Sequence, residues 1–369
     1  MTSVPLLPTA ATRRSTRRVR VGDVVIGGST VPVIAGPCAV EWNYAEHAAA
    51  VAAAGAAALR GCVFKPRTHP DSFQGLGPDA LSLLDAARRD CGLPVLSEPL
   101  SPADITVLRG HVDGLLIGAR SMHNTPLLRA AGQSGLPVLL KRGMSATYDE
   151  WLAASRYITD EGNEQVVLCE RGIRTFETAT RNTLDVSAIA VLRERTDLPI
   201  AVDPSHAAGN ADWVPALSVS ALAAGADALL VECHPDPARS LCDAAQAITP
   251  ATLRQIVRAA SVLAPVTRPM SLDSVASCRE AIDAVDDVVV QLLQQRSELV
   301  ASVQHRKRAA ALPSRDARRE REIVERVHQL APGLGRERVE RLVHAIIAEC
   351  VGAARESDAV DTALSEEIA

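Results

Sequence analysis

Between Val31 and about Leu263 the chain alternates short runs of Val, Ile and Leu with helix-length, Ala-rich segments, and this alternation constrains the fold more than any other feature. The eight runs are Val31 to Ala35, Ala58 to Phe64, Pro94 to Ser97, Gly114 to Ile117, Pro137 to Leu140, Val166 to Cys169, Pro199 to Val202 and Ala228 to Val231. An unbroken apolar run flanked by helical segments is the pattern of a parallel strand buried on both faces. Eight such units in a stretch close to the roughly 250 residues usual for the fold predict an α/β architecture, a closed (β/α)8 TIM barrel over residues 31–265. An open doubly wound sheet would alternate in the same way, but neither GxGxxG after the first run nor GxxxxGK is present. Aromatic residues are only 2% of the chain, so the core must be built from Ala, Val, Leu and Ile.

Each run leads into a polar sequence of the kind barrel enzymes carry at the C-terminal ends of their strands. In order these are GPC ending at Cys38, KPRT at Lys65 to Thr68, SEP around Glu98, GAR ending at Arg120, KRG at Lys141 to Gly143, ERGIRTFE at Glu170 to Glu177, DPSH at Asp203 to His206 and ECHPDP at Glu232 to Pro237. Strand ends converge across a barrel mouth, so Cys38, His206, Glu232 and Asp243 can meet although distant in sequence. Their mixed sulfur, nitrogen and oxygen donors suit a borderline divalent transition metal, Mn2+, Fe2+, Co2+ or Zn2+, better than Mg2+ or Ca2+. Taken singly, a buried Cys is an ordinary small hydrophobe and a lone His an ordinary hydrogen-bonding group. Cations gather at the same strand ends: Arg60, Lys65, Arg67, Arg120, Lys141, Arg142, Arg171 and Arg174. This density matches substrates with several phosphate and carboxylate oxygens, with ion pairing to Glu98, Glu170 and Glu177 accounting for part of it.

After Pro265 and Pro269 the period changes: Ile282, Val285, Val289, Leu292, Leu299 and Val303 recur at helical spacing. A long helix is predicted from near Leu272 to Ala310, then two more over about Asp316 to Leu330 and Arg336 to Ala354, forming a small all-α domain at 272–356. So long a first helix cannot bury its stripe against two shorter partners, which predicts a homodimer or higher homo-oligomer. Residues 357–369 read as a loose acidic tail. Residues 1–30, with Arg13, Arg14, Arg17, Arg18 and Arg20, read as a solvated basic extension without the apolar core of a signal peptide. The formal charge of −5 gives no general reason to bind nucleic acid or an anionic membrane. No stretch is apolar enough to span a bilayer, and the eight cysteines lack CxxC spacing, which together indicate a reducing, cytoplasmic setting.

The motifs GPC, KPRT, GAR, KRG, ERGIRTFE, DPSH and E-x-HPDP, in this order, resemble 3-deoxy-D-arabino-heptulosonate 7-phosphate (DAHP) synthase of the type I beta subfamily. The resemblance covers nearly the whole barrel. It implies condensation of phosphoenolpyruvate with erythrose 4-phosphate and water, releasing phosphate, at the entry of the shikimate pathway. Carried over by motif, Cys38, His206, Glu232 and Asp243 would hold the metal. Phosphoenolpyruvate would meet Arg60, Lys65, Glu98, Ala119, Arg120, Lys141 and Arg171, and Arg67 and Thr68 would hold the tetrose phosphate. The catalytic residues implied are Lys65, Cys38 and His206, with Lys65 protonating the developing alkoxide.

The helical domain resembles the AroQ class of chorismate mutase, with Arg279, Arg296, Lys307, Asp316, Arg319 and Glu320 at its motif spacing. In that class the dimer is interlaced, Arg279 reaches the partner's site, and cations hold the carboxylates of chorismate. The last helix departs from the pattern: Ala354, with Cys350 one turn earlier, stands where a polar side chain should face the ether oxygen. The resemblance implies a domain that rearranges chorismate to prephenate and/or senses these as feedback inhibitors, and the missing polar group points toward sensing. The barrel departs at His69-Pro70-Asp71, where Ser-Pro-Tyr is usual, and at Ser121-Met122-His123, where Asn-Met-Gln is usual. These changes keep open a phosphoenolpyruvate aldolase with another aldose phosphate in specialised metabolism, or a non-catalytic regulatory partner of a chorismate enzyme.

Overall fold

The computed structural model describes residues 16–67, 69–267 and 274–368, the last of these with side chains as far as residue 354. Two short strands, β1 (Val19–Val21) and β2 (Val24–Ile26), pair antiparallel. Eight parallel strands follow: β3 (Val33–Gly36), β4 (Ala58–Arg60), β5 (Val95–Ser97), β6 (Gly114–Ile117), β7 (Val138–Lys141), β8 (Val166–Glu170), β9 (Ile200–Val202) and β10 (Ala228–Glu232). They close into a barrel in sequence order, with β10 returning to β3 through Leu229 opposite Val33. Every one of the eight expected runs holds one barrel strand.

Helices α1 (Tyr44–Ala53), α2 (Leu81–Cys91), α3 (Pro102–Leu108), α4 (Thr125–Gln133), α5 (Tyr148–Thr159), α6 (Ser187–Arg195), α7 (Pro204–Ala208), α8 (Val214–Ala223) and α9 (Pro250–Thr267) alternate with the strands. Local chemistry sets their ends: Ser101 with Asp104 and Thr147 with Glu150 form capping boxes at the starts of α3 and α5. The strands show why their sequences are continuously apolar. Leu115 and Ile117 of β6 join the layer packed with the helices, whereas Leu116 between them faces the barrel interior. Both directions are dry along the body of the strand, and buried polar side chains such as Arg60, Lys141, Glu170 and Glu232 come only at the C-terminal strand ends.

The expectation of a solvated arm fails for residues 16–30. Val19, Val21 and Ile26 of the β1–β2 hairpin are buried with Ile34, Leu96, Leu116, Leu139, Val167 and Leu230 of the barrel interior. The hairpin seats at the N-terminal ends of the strands, where Arg20 N donates to Gln165 just ahead of β8 and Arg17 N donates to Asp197 O ahead of β9. Arg17 also pairs with Glu164 and with Asp197, the latter at 3.1 Å. An open barrel end would leave this apolar layer wet, and the hairpin covers it. Arg13 and Arg14 lie outside the described residues.

The chain separates into two compact units, dividing between Ala284 and Val285. Three helices make up the C-terminal region: α10 (Val275–Ala309), α11 (Ala317–Leu330) and α12 (Arg336–Ile368). Leu272 lies outside the described residues. The tail expected to be loose over 357–369 instead continues α12 as helix to Ile368. In this second unit Val324, Val339, Val343, Ile347 and Val351 form a small buried core. Val289, Val290, Leu292, Leu299 and Val303 of α10 remain exposed. None of the eight cysteines is in a disulfide, and among the described residues no helix is long and apolar enough to cross a membrane.

Candidate active site

The C-terminal ends of the barrel strands surround a cavity of about 200 Å³. Lys65, Arg67, Glu98, Ala119, Arg120, Lys141, Arg171, His206 and Asp243, all expected at a site, line it. Close backbone approach makes this possible. Gly36 at the end of β3 has φ +149°, and a Cβ there would stand 2.4 Å from Arg60 O. Gly118 presses on Glu98, where a Cβ would meet Oε1 at 2.0 Å.

Cys38, His206, Glu232 and Asp243 each bring one donor atom within 4.8 Å of the others, a group that could hold a metal ion. Cys38 Sγ donates to Asp243 Oδ2 at 3.0 Å and is itself approached by Lys65 Nζ. Burial pushes the thiol well up, assisted by Cys242 and the charge of Glu232, so it carries its proton. Burial lowers His206 to about 4 against the opposing pull of Asp203, leaving the imidazole neutral. Its Nδ1 stands 2.7 Å from Asp203 Oδ2, off the axis of a well-directed hydrogen bond, which assigns the ring proton to that side. The Nε2 lone pair then faces Glu232 Oε1 at 3.4 Å, and that oxygen is buried with no hydrogen-bond partner. Two electron-pair donors facing each other in a dry site fit a cation between them. Burial raises Glu232 and Asp243, but His206 and Arg60 bring Glu232 below its ordinary range, and Lys65 holds Asp243 far below its own.

Beside this group stand the cations. Arg60 is buried against Glu232 Oε1 at 3.3 Å, with Nε and Nη1 unpartnered, and Arg67 Nη1 is likewise buried and unpartnered. Lys65 pairs with Asp243 at 3.3 Å; burial lowers it, but Cys38, Glu232, Glu98 and Asp243 together raise it well above the usual ammonium range. Burial lowers Arg171 instead, with only partial relief from Asp203. Two of the eight expected cations serve other ends. Arg142 is spent on Glu170 at 3.0 Å and Asp185 at 2.7 Å and stacks on Tyr148, and Arg174 is exposed. Thr68 lies outside the described residues. Of the departures from the motif, His69 borders the cavity, while Asp71 and His123 are exposed.

Three residues of the site were not singled out by sequence reasoning. Asp203 sits between Lys141 Nζ at 2.7 Å and His206, and it caps α7 by accepting from His206 N at 2.9 Å. Gln246 donates to Glu232 Oε2 at 2.6 Å, and Arg181 donates to Gln246 at 2.8 Å and pairs with Asp243 at 3.2 Å. Asp203 was in view within DPSH; nothing marks Gln246 or Arg181 in advance except their loops.

In the helical unit, Arg296 Nη1 donates to Ile346 O at 3.4 Å and Lys307 Nζ to Ser314 O at 3.1 Å. Asp316 is the N-cap of α11, accepting from Arg318 N and Arg319 N. Arg319 pairs with Glu322, and Glu320 takes both arms of Arg315. Asp316 and Glu320 are thus engaged in local structure. Arg279 lies 17 residues before Arg296 in the sequence of α10 and falls in the first compact unit. Ala354 and Cys350 are buried, and Ser297 Oγ donates to Cys350 Sγ at 3.2 Å.

A closed barrel with a potential metal group beside a cation-lined cavity at its C-terminal mouth has the arrangement of a barrel enzyme's active site. Residues 9–264 match the profile of the DAHP synthetase I family, and residues 278–354 that of chorismate mutase type II. The chain belongs to the DAHP synthetase I family and carries a chorismate mutase type II domain. It is 44% identical over 248 residues, 67% of this chain and 73% of the relative, to a phospho-2-dehydro-3-deoxyheptonate aldolase of Thermotoga maritima. A 2-dehydro-3-deoxyphosphooctonate aldolase of Syntrophotalea carbinolica is 34% identical over 253 residues, 62% of this chain and 90% of that one. The crystal structure of the Thermotoga maritima DAHP synthase superposes with TM-score 0.64 at 43% identity, over 66% of this chain and 72% of that one. A truncated form gives 0.61 at 40% identity, over 66% and 90%.

Proposed function

We propose that the barrel condenses phosphoenolpyruvate with erythrose 4-phosphate and water to DAHP and phosphate. The observation that carries this reading is the facing pair of His206 Nε2 and Glu232 Oε1, set beside the cavity lined by Lys65, Arg120, Lys141 and Arg171. Cys38, His206, Glu232 and Asp243 would hold a divalent transition metal, which supplies Lewis acidity toward an aldehyde. Lys141 and Arg171 hold phosphoenolpyruvate, Lys as a point charge and Arg as a planar fork, with Glu98 and the Ala119–Arg120 turn lining the same cavity. Arg67, with its unpartnered Nη1, takes the tetrose phosphate. Lys65, kept charged by the acidic groups around it, gives its proton to the alkoxide that forms on carbon–carbon bonding. Water addition and carbon–oxygen cleavage then release phosphate, with the fixed cations following the shifting charge. The seven-carbon relative is more similar than the eight-carbon one, which favours the tetrose over a pentose acceptor.

For the helical domain, sensing of chorismate or prephenate is the better supported role. The position expected to face the ether oxygen is the buried, apolar Ala354, and the Cys350 thiol one turn earlier is already engaged by Ser297. A second copy of the chain covers the exposed stripe of α10. The test is phosphoenolpyruvate consumption with erythrose 4-phosphate after chelation and after restoring Mn2+, Fe2+, Co2+ or Zn2+, with and without chorismate and prephenate. Metal-dependent consumption with phosphate release, inhibited by either effector, is expected. Consumption only with a pentose phosphate would overturn the acceptor. Rapid conversion of chorismate to prephenate would overturn the sensing role.

A further inference from the structure

A second cluster of donors lies outside the cavity. Glu41, from the segment after β3, His47 on α1 and His234 after β10 each present one ligand atom within 4.8 Å of the others. All three are more than nine-tenths buried. His47 Nδ1 and His234 Nε2 are buried with no hydrogen-bond partner, although the two rings lie edge to face with centroids 4.2 Å apart. A pair of unsatisfied imidazole nitrogens in a dry place is costly unless a ligand engages them. His234 Nε2 lies 3.5 Å from Glu41 Oε2, close to the edge of about 3.3 Å between two donors on a tetrahedral zinc. The cluster faces a surface groove whose rim includes Trp42, Asp236 and Arg239, giving an ion a path in and water a place on its open side.

We propose that Glu41, His47 and His234 form a second metal site, taking a divalent transition ion such as Zn2+ or Co2+ through two imidazoles and one carboxylate. This donor set suits a borderline ion and excludes Mg2+ and Ca2+. Burial and the neighbouring His234 lower His47, so its lone pair is available near neutral pH. His234 Nδ1 now accepts from Asp236 N at 2.9 Å, which puts the ring proton on Nε2. Binding moves that proton to Nδ1 and opens the Asp236 bond. One such bond is worth about tenfold in affinity, small beside the many orders of magnitude a metal gains from three donors. The site also touches the first one through the backbone. Glu41 Oε1 accepts from Leu241 N at 3.0 Å, two residues before Asp243, and Glu41 itself is three residues after Cys38. An ion here ties together the two segments that carry those donors.

The experiment is titration of the chelator-stripped, reduced full chain with Co2+, followed by calorimetry and by absorption. Cobalt on Cys38 gives a thiolate charge-transfer band; cobalt on Glu41, His47 and His234 gives none. The expected result is an equivalent of Co2+ without thiolate absorption, whose affinity falls at least roughly tenfold in both His47→Gln and His47→Leu. The two variants differ in packing, so a folding defect in one leaves the other to decide. Co2+ stoichiometry and affinity equal in wild type and in the folded variants would overturn the proposal.

Discussion

Replacing Asp203 by Asn tests whether one buried carboxylate ties the phosphoenolpyruvate lysine to the metal-binding histidine. Asp203 is fully buried, its Oδ2 2.7 Å from both Lys141 Nζ and His206 Nδ1, and its Oδ1 caps α7. Asn keeps the volume and can still cap with its amide oxygen, so the change isolates the charge. Removing one member of a buried pair costs about 3–5 kcal/mol. The lower end applies here, because Lys141 lines the cavity and its ammonium can turn toward water. About 3 kcal/mol corresponds to a fall of about 6–12 °C in the barrel's melting temperature, or about 1 M in urea midpoint. Tryptophan fluorescence is the assay, since Trp42, Trp151 and Trp213 all belong to the barrel unit and the helical unit is silent. Metal affinity should fall about 10–100-fold in parallel, as His206 loses the group that orients it. A metal-free Asp203→Asn protein within about 1 kcal/mol of wild type, at unchanged urea slope, would refute the pairing argument.

Four further outcomes follow from the geometry. Gln246→Leu should weaken metal binding about 10–100-fold by calorimetry while the fold persists, because the Gln246 amide donates to Glu232 Oε2 and steadies it; an unchanged dissociation constant would deny it that role. The metal-free barrel should lose up to about 3 kcal/mol as pH falls from about 6.5 to about 4, since the unfolded chain binds a proton that buried His206 refuses until about 4. His206→Gln cannot titrate and should lack this slope; equal pH dependence in both proteins would assign it elsewhere. Ile26→Ala, fully buried where the hairpin meets the barrel interior, should cost about 2–5 kcal/mol by tryptophan fluorescence, and a cost below about 0.5 would return the segment to the solvated arm expected of it. Leu299→Glu on the exposed stripe of α10 should convert a dimer to a monomer in light scattering, whereas an unaltered mass would place the interface on another surface.

The barrel was legible because its physics is local and repeated. A strand buried on both faces must be continuously apolar, and residues such as Leu115, Leu116 and Ile117 carry that requirement whichever way each one points. The donors and most of the cations were legible for a related reason: closing the sheet brings all eight strand ends to one mouth, so position at a strand end already implies position at the site. Residues 19–26 were misread because the short runs Val-Arg-Val and Val-Val-Ile, close behind an arginine cluster and split by Gly22-Asp23, look like a solvated segment, and only the open lower end of a closed barrel makes burying them favourable. Arg142 and Arg171 are alike in sequence, each following a strand by one residue, yet the first is consumed by Glu170 and Asp185 while the second lines the cavity. Which carboxylate lies within 3 Å of a cation depends on rotamers and loop paths fixed by packing. Sequence alone thus determined the kind of fold and the chemistry present at its mouth. The tertiary structure decided which charges are already paired, which buried atoms remain without partners, and that Glu41, His47 and His234 meet at all. Pairing and desolvation are properties of distances across the fold, to which a linear pattern of residue types has no access.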